Sequence, residues 1–245
     1  MSTCVFPRIA NERLPQLLQA IPEGYDITNK TILDYGGNRG NLLEDGDEAD
    51  MIDPSNYTSM DVDPDGLEFL KKLYPTTNTI HYNRYNPAYR HQGIPMLPFP
   101  QADDTYDIVY SYSVNTHSSW QDYVFDISEM TRVCKPGGLV FTSKFELTCI
   151  QHMLDKRVKD WDIFEGDPGG TDRTVSDFQD VTDVIYLVDN NTLLNIDDQI
   201  PQQSKYLITY YNEGWLLDQI HGMGYKTELT RSDKPRIQTL IRLIG

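Results

Sequence analysis

Apolar positions along this 245-residue chain form short unbroken runs that alternate with stretches of three- and four-residue periodicity. Residues 31–34, 57–61, 79–82 and 107–111 read as short strands. Leu14, Leu17, Leu18 and Ile21 share one face of a helix expected over residues 9–21, whose start Pro15 could set because proline suits a first turn. A brief helix is expected after Gly40 and a longer one over residues 65–74. Tyr123, Ile127, Met130 and Cys134 make residues 120–134 amphipathic at helical spacing. Residues 212–223 read as a helix stopped by Gly224, and residues 237–244 as a last strand. Strands alternating with helices predict an α/β fold with a mostly parallel sheet covered on both faces.

The run Asp34-Tyr35-Gly36-Gly37-Asn38-Arg39-Gly40 ends the first strand on an acid, turns over glycines and opens a helix. Such a turn aims backbone N–H groups and a helix N-terminus at a ligand, and glycine permits close approach. A P-loop requires Gly-Lys-Ser/Thr, whereas Asn41 and Leu42 follow Gly40. The dinucleotide fingerprint also fails, because Asn38 and Arg39 fall where glycines are needed. Asp61 closes the second strand about 20 residues beyond Gly40, the place from which an acid accepts hydrogen bonds from ribose hydroxyls.

These residues resemble motif I of the class I S-adenosylmethionine-dependent methyltransferases. Asp34, Gly36 and Gly40 fall on its acid and its first and third glycines, and Asn38 stands for the middle glycine. Asn is the next most tolerant residue for a left-handed backbone. Leu97-Pro98-Phe99, the acidic turn before Tyr106-Asp107-Ile108-Val109, and Lys135-Pro136-Gly137-Gly138 continue the resemblance in register. It covers residues 30–145 well and 206–245 loosely.

The resemblance implies a Rossmann-like, doubly wound seven-stranded sheet in a single domain. Its parts are an N-terminal helical segment (1–28), a cofactor-binding core (29–145), an inserted acceptor lid (146–205) between strand five and the last helix, and the C-terminal part of the core (206–245). It implies S-adenosyl-L-methionine as cofactor, held by Asp34, Tyr35, Gly36, Gly37, Asn38, Gly40, Asp61, Val62, Asn83, Tyr85, Ser111 and Tyr112. The implied reaction is in-line methyl transfer to an oxygen or nitrogen of a small-molecule acceptor. His117, after strand four, and His152, at the opening of the insert, are the candidate bases. Tyr35, Tyr110 and Tyr112 could offer ring faces to a sulfonium, with core packing as the alternative. Two other readings stay open: a protein of the same fold that binds the cofactor without transfer, and a nicotinamide-dependent oxidoreductase, which the glycine spacing disfavours.

Composition narrows the partners. A formal net charge of −16 disfavours nucleic acid, whose binding relies on Lys and Arg. Cys4, Cys134 and Cys149 have no metal-ligand spacing and read as reduced thiols, so no metal and no disulfide are assigned. No apolar run approaches membrane-spanning length, and a cytoplasmic protein without membrane partner is expected. Asp61-Val62-Asp63-Pro64-Asp65-Gly66 imitates the start of an EF-hand loop, but Lys72 occupies the position of the bidentate glutamate. Asp45, Asp47, Glu48 and Asp50 read as solvated surface. Within the insert, residues 184–194 could form a hairpin or an edge strand.

Overall fold

The computed structural model describes residues 13–86, 92–146, 184–188, 192–194, 207–231 and 239–245. Five strands run parallel at its centre: β1 (Ile32–Tyr35), β2 (Tyr57–Asp61), β3 (Asn78–His81), β4 (Tyr106–Ser111) and β5 (Cys134–Glu146). Every residue of β1 and β2 is buried, as expected of strands covered on both faces. β9 (Lys226–Thr230) and β10 (Thr239–Ile244) complete a seven-stranded sheet in the order β3-β2-β1-β4-β5-β10-β9, with β10 antiparallel to both of its neighbours.

Side chains alternate between the two faces, and each face has its own helices. Ile32, Tyr57, Ile108, Tyr110 and Phe141 pack against α1 (Arg13–Ala20), α2 (Asn41–Glu48) and α3 (Pro64–Leu73) through Leu14, Leu17, Leu42, Leu43 and Leu70. Leu33, Met60, Val109, Val140 and Ile241 face Tyr123, Ile127 and Met130 of α4 (Trp120–Val133) and Leu216 and Ile220 of α5 (Glu213–Gly222). The doubly wound expectation is therefore met. Ser119 opens α4 as its N-cap, with the Asp122 N–H donating to the Ser119 hydroxyl, and Asn212 caps α5 by accepting from the Trp215 N–H.

Three features depart from the sequence expectation. The crossover from β3 to β4 carries no helix among its described residues, and Tyr82 and Phe99 from its irregular chain pack on that part of the sheet. β5 begins at Cys134, before the Lys-Pro-Gly-Gly segment, which bulges out between the Tyr106–Cys134 and Ile108–Leu139 pairs. β8 (Leu207–Tyr211) and β9 were not expected; β9 has a mixed, half-exposed pattern that gives little periodic signal.

β8 pairs with the end of β5, Phe145 with Tyr210 and Glu146 with Tyr211. β6 (Val184–Val188) and β7 (Thr192–Leu194) extend this ladder as an antiparallel hairpin. The rest of the expected lid lies outside the described residues, as do His152, Cys4 and Cys149. At the opposite edge of the sheet, the Asp107 carboxylate accepts from the Thr31 N–H at 2.9 Å, the Thr31 hydroxyl at 2.6 Å and Lys135 Nζ at 3.0 Å. Burial alone would raise the pKa of this carboxyl, but these donors hold it down at about 2. Asp45 is not simply solvated: it accepts from the Leu14 N–H and so ties α2 to the first turn of α1. No helix among the described residues is long and apolar enough to cross a membrane.

Candidate active site

In register, Tyr35 of β1 lies beside Met60 of β2 and Ser111 of β4, so the three strands end together at one rim. That rim is the carboxyl edge, where open α/β sheets bind ligands. The glycine turn leaves β1 there. Gly36 and Gly40 have φ of +77° and +81°, and Asn38 takes the left-handed conformation at +45°, which bears out its tolerance for that backbone.

The glycines are explained by protein packing. A Cβ on Gly36 would lie 2.0 Å from Cγ2 of Val114, one on Gly37 2.5 Å from the Ser59 hydroxyl, and one on Gly40 2.4 Å from Cδ1 of Leu70. The expectation that the missing side chains make room for a ligand is corrected: they let β2, α3 and the segment after β4 close around the turn. Asn38 is accommodated the same way. Its side-chain oxygen lies 3.0 Å from where a Cβ of Gly66 would stand, so a second glycine, in the first turn of α3, makes room for it.

Asp34 is fully buried beneath the turn and accepts a hydrogen bond from the Tyr57 hydroxyl through Oδ2. Burial raises its pKa, against the opposing charge of Arg13 and the Tyr57 bond. Asp61 is 8 % exposed. Its Oδ2 accepts from the Asn38 N–H and its Oδ1 from the Asp63 N–H, both at 2.8 Å. Burial pushes the carboxyl up to about 6 despite those two donors. Each oxygen of a carboxylate has two lone-pair directions, and these bonds use one on each oxygen. Val62, next in the chain, is partly buried.

Other expected residues take varied places. The Tyr35 ring is buried against Tyr82 and Phe99, at centroid distances of 5.9 and 4.9 Å, and its hydroxyl donates to Asp126 at 3.3 Å. Tyr110 is wholly buried, and Tyr112 stacks on it at 6.1 Å beneath the Arg13 guanidinium. These rings pack against protein, as the core alternative had it. Ser111 is buried at the end of β4. Asn83 and Tyr85 are half-buried just past β3. His117 is half-buried in a short turn, Asn115–His117, at the carboxyl edge of β4. Sequence reasoning missed Arg84, Asp122 and Asp126; the two acids stand four residues apart in α4, but no sequence signal ties them to Arg84, which they meet only in the fold.

A cleft of about 280 Å³ lies at the far end of β1 and β2, lined by Thr28, Asn29, Asp47, Asp50, Asp53 and their neighbours. It is remote from the glycine turn. No group of three or more side chains suited to hold a metal occurs among the described residues.

Residues 33–142 match the family model described as a methyltransferase domain. The stretch from β1 into β5, which carries the glycine turn and Asp61, is thus a methyltransferase domain by its sequence. Solved structures show the same fold at low identity. An S-adenosylmethionine-dependent methyltransferase from Methanosarcina mazei is 14% identical with a TM-score of 0.53, over 94% of this chain and 97% of that one. One from Mesorhizobium loti is 13% identical with a TM-score of 0.51, over 94% of this chain and 95% of that one. The cofactor of this methyltransferase is S-adenosylmethionine. The residues at the rim fit it at the ribose end, where Asp61 has acceptor capacity to spare and is joined to the glycine turn.

Proposed function

We propose that this methyltransferase moves the methyl group to an oxygen or nitrogen of a small-molecule acceptor by in-line displacement. The observation that carries the reading is the Asp61 carboxylate, which gathers the Asn38 N–H of the turn and the Asp63 N–H before α3 while keeping two acceptor sites for ribose. When bound, the cofactor supplies a methyl group on a positively charged sulfur, which is already an activated leaving group. The protein's task is to orient it. Orientation contributes roughly 7–11 kcal/mol in favourable intramolecular cases.

Within this reading Asp61 holds the ribose, the turn from Gly36 to Gly40 supports the cofactor through its own backbone, and Val62, Asn83 and Tyr85 border the adenine. Ser111 and Tyr112 close the β4 side. His117 is the candidate base for an acceptor hydroxyl or protonated nitrogen, a contribution of about 10²- to 10⁴-fold. His152 is the second candidate, and the insert over residues 146–205 is assigned the choice of acceptor. The net charge of −16 favours a neutral or cationic acceptor over an anionic one.

Incubating the protein with a metabolite extract and isotopically labelled cofactor, followed by mass spectrometry, tests the reading. A small molecule that gains one methyl group is expected; label found only in macromolecules would overturn the acceptor class. Binding without any mass gain would instead favour a protein that holds the cofactor and transfers nothing. Stabilisation by NAD alone in a thermal-shift screen would favour the oxidoreductase. Asp61→Ala is expected to weaken cofactor binding more than tenfold, because ribose hydroxyls lose their acceptor in a buried cleft.

A further inference from the structure

The crossover after β3, which carries no helix among its described residues, contains a buried arginine. Arg84 is 4 % exposed, and its side chain reaches from the β3 exit to α4. Nη2 donates to Asp122 Oδ1 at 2.9 Å, and Nη1 donates to Asp126 Oδ1 and to the Tyr35 hydroxyl, the latter at 3.2 Å. Asp126 is fully buried, and its second oxygen accepts from Tyr35. One guanidinium thus ties together the chain leaving β3, the residue before the glycine turn and the first turns of α4.

The backbone around Arg84 is equally constrained. The Tyr82 N–H donates to the carbonyl of Asp61 at 2.8 Å, which holds this segment beside the ribose carboxylate. The Tyr85 N–H donates to the Ile94 carbonyl at 3.1 Å, and the Ile94 N–H to the Asn83 carbonyl at 2.9 Å, so Arg84 is the centre of an isolated β-bridge. A Cβ on Gly93 would fall 2.0 Å from the carbonyl carbon of Arg84, so the returning chain passes in direct contact. Burial alternates along the segment: Tyr82 and Arg84 are inside, Asn83 and Tyr85 half-exposed. The Arg84 N–H also donates to the Tyr82 carbonyl at 2.8 Å, a tight turn about Asn83 that fixes this inside-and-outside pattern.

We propose that Arg84 is a positioning residue for the adenine end of the cofactor: clamped by Asp122 and Asp126, it fixes the side from which Asn83 and Tyr85 project beside Asp61. This rests on the placement of the adenosyl group at that rim. The clamp depends on a planar fork that meets two carboxylates and a phenol at once, which a lysine ammonium does not reproduce.

Calorimetry on the full chain with S-adenosylmethionine, S-adenosylhomocysteine and 5′-methylthioadenosine tests it. The last ligand keeps the adenosine and lacks the amino-acid end. Arg84→Lys is expected to weaken all three by a common factor of about ten, with kcat at saturating cofactor within about twofold of the unaltered protein and KM for the cofactor raised. A cooperatively melting Arg84→Lys protein that binds all three as tightly as before overturns the proposal, as does a loss confined to the two ligands with an amino-acid end. Asp122→Asn, at the partly exposed edge of the clamp, covers the case of a variant that fails to fold. It is expected to show the same pattern at about threefold, and unchanged affinities in it overturn the proposal too. If the unaltered protein takes up none of the three ligands, the placement of the adenosyl group fails before Arg84 is tested.

Discussion

The carboxyl that the proposed function assigns to the ribose hydroxyls lies in surroundings that penalise its charge. Asp61 is in that position, with burial pushing its carboxyl up to about 6. A carboxyl with a pKa raised above its unfolded value near 3.9 binds more protons folded than unfolded. Its contribution to stability is therefore fully present below about 3.9 and is lost as the pH rises through about 6. Asp61→Asn should remove this pH dependence: the Tm of the ligand-free parent should fall relative to that of the variant as the pH rises from about 4 through 6 and hold level above it, while cofactor affinity falls. Melts between pH 5 and 8 check the first part. Cofactor affinity of the unaltered protein should likewise decline below pH 6, since ribose hydroxyls donate to the ionised carboxylate; calorimetry at stepped pH checks it. Gly36 gives a second prediction. Its φ of +77° and its contact with Val114 penalise a side chain separately. Gly36→Ala should cost about 1–2 kcal/mol for the backbone and about 1–3 kcal/mol for overpacking, and adding Val114→Ala should restore only the second part in denaturant titrations.

At the scale of elements, the strands and helices with clean periodicity were legible in the sequence, and the rest followed rules that periodicity does not carry. α4 was readable because Tyr123, Ile127 and Met130 recur on one face, and β1, β2 and β4 because both their faces are buried. β9 escaped because an edge strand reading Lys-Thr-Glu-Leu-Thr hides its pairing behind polar residues. In the candidate site, Asp34, Asp61 and the turn were legible as a motif, whereas Arg84 was not, since its partners lie far along the chain and meet it only in the folded sheet. The glycines were read as space for a ligand when their neighbours are Val114, Ser59 and Leu70, which no local pattern reveals. The Asp107 clamp belongs to this scale as well, joining the start of β4 to Thr31 and Lys135. Its carboxyl is held at about 2, so its contribution is present above the unfolded value near 3.9 and is lost as the pH falls through about 2. Asp107→Asn should lower stability by about 1 kcal/mol at pH 7, and chemical denaturation should show the difference closing in acid.

Across the whole molecule, a formal charge of −16 means that the folded state brings like charges together. Self-repulsion of this kind weakens the compact state and is screened by salt, whose Debye length falls from about 10 Å at 0.1 M to about 3 Å at 1 M. The Tm should therefore rise as sodium chloride is added up to about 0.5 M, where a protein of balanced charge would respond little; differential scanning calorimetry checks it. The same field sets the sign of what is drawn to the rim. S-adenosylmethionine carries one more positive charge than its demethylated product, so raising the ionic strength should weaken the substrate form more than the product form.

The parallel pairing of Phe145 and Glu146 with Tyr210 and Tyr211 anchors the long excursion between β5 and β8 on two neighbouring strands. Chain held between two such anchors can lengthen, shorten or be exchanged at a loop-closure cost that grows only slowly with length. Variation there need not disturb the strands that carry Asp34 and Asp61. The excursion can therefore be altered as a separate piece, leaving intact the rim where β1, β2 and β4 end together.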